Sequence, residues 1–347
     1  MSGWPDRRLL ELTGAGVPIV QAPMAGASGV ALAIAAMRGG AIGSLPCAML
    51  TAEQAADQVA EIRAATDGPL NLNFFCHHLG PEPDDSAWRA LLQRFYDAEH
   101  VTPVPPPPLR RPFDEAMAAM VEAVRPTIVS FHFGLPAPDL LARVRASGAL
   151  VFANATALDE IHWLDNAGVD AIVLQGEEAG GHAGWFLDGH KPTPLADLLA
   201  VPVAIPTIAA GAIVDAADIA AALTAGASAV QIGTAYLASP ESLASAPHRA
   251  LLGSATETVF TNLLSGGLAR GFRNRLIDAI GPINAAAPPY PYASAALAPL
   301  RAKAEADGRG DYSPLLAGTG AARVRPEPAE ALTRRLAAET LILLETA

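Results

Sequence analysis

The chain has 347 residues, 51% of them hydrophobic, with a mean hydropathy of +0.28 and a formal net charge of −12. That much apolar chain can bury one large core with a smaller unit appended, which excludes disorder as the default. A pI near 5.1 and no basic run longer than Arg110-Arg111 argue against nucleic acid and anionic membrane surfaces, leaving small molecules as the expected partners.

From the N-terminus, MSGWPDRRLLELTG reaches Gly14 without the apolar core of a signal peptide, and no run of about 18 apolar residues follows anywhere. The two cysteines, Cys47 and Cys76, give no disulfide framework and suit a reducing compartment, so a soluble cytoplasmic protein is expected. Short apolar runs then recur at Pro18–Ala22, Ala41–Leu45, Leu70–Phe75, Thr127–Phe133, Leu150–Asn154, Ala171–Leu174, Pro206–Ala210 and Ala229–Gly233. Each ends in small or turn-forming residues, and most precede an Ala/Leu-rich helical pattern. Strands apolar on both faces that alternate with helices indicate a parallel sheet, and eight of them predict an α/β fold, a (β/α)8 TIM barrel with a small, mainly helical cap.

Caps locate several helices. Thr51 with Gln54 forms a capping box before the stripe Ala52, Ala55, Ala56, Val59 and Ile62, and that helix stops before Gly68-Pro69. The helix holding Ile161 and Leu164 closes at Gly168, and Asp215 with Asp218 opens one that closes at Gly226. Between the third and fourth strands the rhythm breaks into a helix near Ser86–Ala98, a stiff Pro-rich stretch over Val101–Pro112, and a helix near Phe113–Val124. The Pro-rich stretch reads as a spacer within one fold rather than an SH3-type ligand. The expected division is a barrel over 1–237 and a small helical cap over 238–325, containing the TNLLSGGLARGFRN loop. A helix near Ala329–Glu345, within 326–347, then packs back on the barrel through Leu332, Leu336, Leu341, Leu343 and Leu344.

The chemistry concentrates at strand ends, where parallel barrels place their sites. After the sixth strand comes QGEEAGGHAGWF, Gln175 to Phe186, with glycines that permit close ligand approach and His182 as a proton-exchanging group. The same loop also reads as an ordinary strand-to-helix connection with a solvated imidazole. A metal set of Glu177, Glu178, His182 and His190 lacks recognised ligand spacing, so no metal is expected. Strands seven and eight end in Ala209-Ala210-Gly211-Ala212 and Gln231-Ile232-Gly233-Thr234, small-residue loops suited to a cofactor phosphate held by backbone N–H groups and a following helix N-terminus. Met24, Asn73 and Gln175, at the ends of strands one, three and six, supply the apolar contact and amides that a flat, hydrogen-bonding ring requires. His77, His78 and His132 are near enough to reach such a pocket but suit structural roles as well. His100, His162 and His248 read as loop or helix-surface residues, and the GTG at Gly318–Gly320 follows no strand and is no dinucleotide fingerprint.

The motifs VQAPMAGAS, LNLNFFCH, SFHFGLP, LQGEEAGGHAG and VQIGTAYL, in this order, resemble the nitronate monooxygenases, flavin-dependent enzymes formerly called 2-nitropropane dioxygenases. The resemblance implies FMN in the barrel, contacted by Met24, Asn73, Gln175, Gly180, Gly181, Gly211, Gln231, Gly233 and Thr234, with His182 as the catalytic histidine. It implies oxidation of alkyl nitronates, or nitroalkanes, by O2 to carbonyl compounds and nitrite, and leaves a homo-oligomer open. In that chemistry a neutral His182 would take a proton from a nitroalkane, and an imidazolium would hold the anionic nitro group. NAD(P)H-dependent quinone or enoyl reduction on the same scaffold is the alternative, and a flavin-binding protein without turnover a third reading. The chain departs from the family's AGGI and SGRPARG patterns at Ala212 and at Gly267-Leu268.

Overall fold

The computed structural model describes residues 3–102, 109–189 and 191–346. Its strands are β1 (Ile19–Gln21), β2 (Gly43–Pro46), β3 (Leu70–Phe75), β4 (Ile128–His132), β5 (Leu150–Ala155), β6 (Ala171–Gln175), β7 (Gly181–His182), β8 (Thr207–Ala210), β9 (Ala229–Ile232), β10 (Thr258–Thr261) and β11 (Ala269–Phe272). Eight of these pair in parallel in the order β1-β9-β8-β6-β5-β4-β3-β2, and a parallel bridge between Val20 and Ile42 joins the two ends. The sheet therefore closes as a (β/α)8 barrel. Every apolar run read as a strand is one, because side chains buried on both faces leave the chain little choice of element.

The helices follow their caps. Thr51 and Gln54 form a reciprocal capping box on helix Ala52–Ala65, which buries Ala55, Val59 and Ile62. Asp215 and Asp218 do the same for Ala216–Thr224, and Leu158–Asn166 ends ahead of a left-handed Gly168. The helix Ala329–Thr346 lies against Val30–Arg38 and Ala216–Thr224 with Leu332 and Leu336 buried. Thr333 Oγ1 meets the buried Tyr236 hydroxyl at 2.6 Å. Leu343 points the other way and is 40% exposed. The Pro-rich residues 103–108 lie outside the described chain.

The region after β9 is less helical than its composition suggests. The TNLLSGGLARGFRN stretch, expected as a loop, contains β11, which pairs antiparallel with β10 and with β7, so the cap carries a three-stranded sheet. The cap also draws on distant sequence. Helix Ser86–Glu99, inserted between β3 and β4, packs against Ala293–Ala306, burying Trp88, Leu92 and Tyr96 with Leu276, Leu297 and Leu300. Trp88 Nε1 donates to Ala293 O at 3.1 Å, and Glu99 is enclosed by Arg309, Arg275 and Tyr312.

Truncating this fully buried indole should therefore weaken the cap rather than the barrel. Trp88→Ala is expected to lose about 3–5 kcal/mol of stability, the usual scale for a large aromatic in a core. Hydrogen exchange should speed over 293–304 and stay slow in the barrel strands; slow exchange throughout would contradict a shared core.

Candidate active site

The loop from Gln175 to Leu187 leaves the end of β6, crosses the mouth of the barrel and returns, and both of its sides are held. The Gln175 amide sits at the centre. Its Nε2 donates to His182 O at 2.8 Å, while its Oε1 accepts from Asn154 Nδ2 at 2.7 Å and from Gly184 N at 3.3 Å. From the cap side, β7 pairs with β11, setting His182 opposite Ala269 and Gly181 opposite Arg270. Arg270 Nε donates to Glu177 O at 2.7 Å while its guanidinium lies 4.1 Å from the centre of the Phe260 ring. At the far end the buried Glu160 carboxylate accepts from Phe186 N at 2.6 Å and from Leu187 N at 3.3 Å. These fixings, none of which depends on a ligand, place the His182 backbone within hydrogen-bond tolerance.

The His182 ring is then fixed by Ser265, whose Oγ lies 2.7 Å from Nε2. Around it stand rings from three segments. Tyr290 is 5.2 Å from His182 centre to centre, Phe133 is 6.3 Å away, and His77 is 4.9 Å from Tyr290. Phe133 also packs 4.5 Å from His132 and holds a φ of 67°, a conformation that bulky residues adopt only where their surroundings impose it. Burial is the first cause that pushes the His182 pKa well below its ordinary value, with the positive charge of Arg110 and the neighbouring His132 and His77 adding to it. Burial likewise lowers His132 to about 4, although hydrogen bonding to His182 and Asn154 opposes the shift, and lowers His77 as well. The site is a set of neutral imidazoles. An imidazolium at His182 near neutral pH is therefore not what this structure supports.

Several of the residues expected to bind a cofactor adjoin one another. A methyl added at Gly233 would stand 3.6 Å from Met24 Sδ, so the ends of the first and last barrel strands meet there. Gly180 packs so closely on Ala317 and Gly318 that a Cβ would sit 2.5 Å from their backbone. Gly318 N donates to Thr234 Oγ1 at 3.0 Å. The GTG segment, set aside in the sequence, thus ties Gly180 to Thr234. The amides of Gly211, Ala212, Gly233 and Thr234 donate to no acceptor among the described residues, which is what a phosphate held there would require. One expectation is corrected: the helix after β8 offers no free N-terminus, because Val214, Asp215, Ala217 and Asp218 donate their N–H groups to the Asp215 and Asp218 carboxylates.

Toward the barrel axis, Gln231 is the one residue of β9 that is not buried, and its amide has no partner among the described residues. Asn73 directs Nδ2 to Ser130 Oγ at 2.9 Å and is held rather than free. Gln175, expected to face a ring, has most of its amide engaged in the loop. Unpartnered amides at Gly211, Ala212, Gly233 and Thr234 and a Gln231 amide without a described partner, two residues before Gly233, fit a flat phosphorylated cofactor.

Glu178 accepts from Leu195 N at 3.1 Å, and no cluster of three or more metal-ligating side chains occurs among the described residues; His190 lies outside them. His248 is a further correction, buried with Nε2 3.0 Å from Leu316 O rather than on a helix surface. His78, His100 and His162 are exposed. Tyr290 and Glu160 carry no local signal in the sequence, and nothing near Ser265 in the chain marks it as the partner of His182, because the partners of all three in this site lie 26 or more residues away. No helix among the described residues is long and apolar enough to cross a membrane.

The sequence profile described as nitronate monooxygenase matches residues 6–339. The nitronate monooxygenase of Paraburkholderia phytofirmans is 42% identical over 351 aligned positions, covering 96% of this chain and 94% of that one. The nitronate monooxygenase of Pseudomonas aeruginosa is 40% identical, covering 96% and 98%. Among solved structures, nitroalkane oxidase from Streptomyces ansochromogenes superposes with a TM-score of 0.90 at 34% identity, covering 98% of this chain and all of that one. FabK from Thermotoga maritima, at 21% identity and a TM-score of 0.72 over 98% of this chain, shares the fold.

Two outcomes follow from the backbone and the buried imidazoles. Ala212 holds a φ of 53°, a left-handed conformation that an alanine adopts at a cost. Ala212→Gly should therefore raise stability by about 0.5–1 kcal/mol, the left-handed penalty less the chain entropy of glycine, read as a higher denaturation midpoint. His77, His132 and His182 have folded pKa values below that of the unfolded chain, so the unfolded state binds more protons between about pH 6.5 and 4, and stability should fall as the pH drops through that window. Urea midpoints equal at pH 7 and pH 5 would contradict the neutral cluster.

Proposed function

The chain belongs to the nitronate monooxygenase family, and from that premise we propose that it oxidises alkyl nitronates by O2 to carbonyl compounds and nitrite, with FMN held across the mouth of the barrel. What supports the proposal is that His182 is fixed between β6 and β11, and that the loops after β8 and β9 carry backbone amides without acceptors among the described residues. The family and its structural relatives are flavin enzymes; the choice of FMN rests on that one set of amides, sized for one phosphate. The chemistry that a bound flavin supplies is electron acceptance from the anionic nitronate, with O2 completing the oxidation. No observation favours the NAD(P)H-dependent alternative.

The chain's own residues then have distinct tasks. The amides of Gly211, Ala212, Gly233 and Thr234 receive the phosphate, and Met24 and Gln231 meet the ring system. Ser265 fixes the imidazole through Nε2, which leaves Nδ1 without a protein partner. In the tautomer that gives the Nε2 proton to Ser265 Oγ, Nδ1 carries the lone pair that removes an α-proton from a neutral nitroalkane. A lowered pKa keeps that lone pair available at neutral pH but makes it a weak base, which suits preformed nitronates better than nitroalkanes.

The purified protein should be yellow and release FMN on denaturation, and oxygen uptake with nitronates should yield nitrite. His182→Asn should keep its FMN and lose activity on neutral nitroalkanes by about 10²–10⁴-fold, the range of general base catalysis, with a much smaller loss on preformed nitronates. Equal losses on both, or loss of FMN, would remove the base role from His182; no oxygen uptake with any nitronate would remove the proposed reaction.

A further inference from the structure

The reaction proposed above brings an anion into a site whose three imidazoles are neutral, so its charge needs another counter-ion. A cation within electrostatic reach of His182 is Arg110, in the insertion between β3 and β4 and ahead of helix Glu115–Val124. Its backbone carbonyl is fixed 3.1 Å from His77 Nε2, and the His77 ring packs edge-on at 4.9 Å from Tyr290, itself 5.2 Å from His182. Arg110 is partly buried and pairs with no carboxylate among the described residues, whereas its neighbour Arg111 reaches Asp114 at 3.7 Å. A half-buried guanidinium without an anion is poised to receive one.

A second observation points to the same place. The Tyr290 hydroxyl is buried and has no hydrogen-bond partner that meets distance and angle among the described residues, and the Arg110 side chain lies close enough to act on it electrostatically. The His77 Nδ1 is also buried and unpartnered. Two polar atoms without described partners and a guanidinium without a carboxylate, all around the His182 ring, are groups suited to a small planar oxyanion.

We infer that Arg110 and the Tyr290 hydroxyl receive the oxygens of the nitronate group above His182, and so select the anionic nitronate over the neutral nitroalkane. The inference rests on the proposed reaction. Tyr290 donates its O–H to one oxygen, Arg110 neutralises the charge, and neither changes protonation. With that charge matched by Arg110, a neutral His182 is the better neighbour, because a second cation would over-bind the ground state.

The test uses the flavin-loaded enzyme, with nitrate as an unreactive planar anion of the same charge. Arg110→Met should raise the KM for ethyl nitronate and the inhibition constant of nitrate by roughly 10–100-fold, the scale of a charged hydrogen bond, while the KM for neutral nitroethane stays within about threefold. Arg110→Lys should recover a large part of the loss. Tyr290→Phe should raise the nitrate constant by roughly 3–10-fold, as a neutral donor would, and it keeps the test decisive should Arg110→Met fail to fold. Nitrate and nitronate constants unchanged in Arg110→Met, or a nitrate constant unchanged in Tyr290→Phe, overturn the inference. If the wild-type enzyme oxidises no nitronate, the proposed reaction fails separately, and a nitrate titration followed by flavin absorbance still decides whether Arg110 holds an anion.

Discussion

The site depends on one hydrogen-bonded bridge, the Gln175 amide at the end of β6 reaching seven residues ahead to His182 O. A barrel strand is the most rigid support this chain has, since β6 is paired on both sides and buried along its length. By holding a residue of its own following loop, Gln175 transfers that rigidity to the histidine. The antiparallel pairing of β7 with β11 completes the support from the other direction, so the backbone of His182 is a member of the cap sheet and is tied to the barrel by the Gln175 side chain. A side chain whose backbone is fixed twice loses little further freedom on meeting a substrate, which is the physical content of preorganisation.

The electrostatics follow from the same enclosure. The chain carries a net charge of −12, yet no carboxylate pairs with the described groups around His182. Glu160 and Glu178 each accept backbone N–H groups, and Asp215 and Asp218 share the single guanidinium of Arg323. The acidic groups near the mouth therefore have structural partners. What remains is a neutral aromatic lining with one guanidinium, and burial has more effect there because low dielectric strengthens the few charges present.

The barrel was legible because its strands are buried on both faces, so apolar runs such as Ala171–Leu174 and Ala229–Gly233 had few alternative readings. The hairpin of β10 and β11 was not. In Ala269-Arg270-Gly271-Phe272 a charged side chain and a glycine interrupt the apolar run, and only the structure shows Arg270 lying on Phe260 while Gly271 abuts Leu315. The helix near Ser86–Ala98 was legible, but nothing local says that its Trp88 and Leu92 face Leu297 and Leu300, two hundred residues on. His248 shows the same limit: a histidine after Ser245 on a short helix reads as surface until Leu316 O is seen to cover it.

Gln175 shows why an amide at a strand end does not declare its role in the sequence. A polar amide at a strand end has the same local signature whether it faces a ligand or holds a loop, because both need donors and acceptors where the barrel opens. The two roles differ in what lies within 3 Å, and here that is His182 O and Asn154 Nδ2. Gln231 has the complementary arrangement, an amide at the end of β9 with no described partner. Of two glutamines with equivalent sequence positions, the one with its hydrogen bonds made sets the geometry of the pocket, and the one with them unmade is left to meet what enters it.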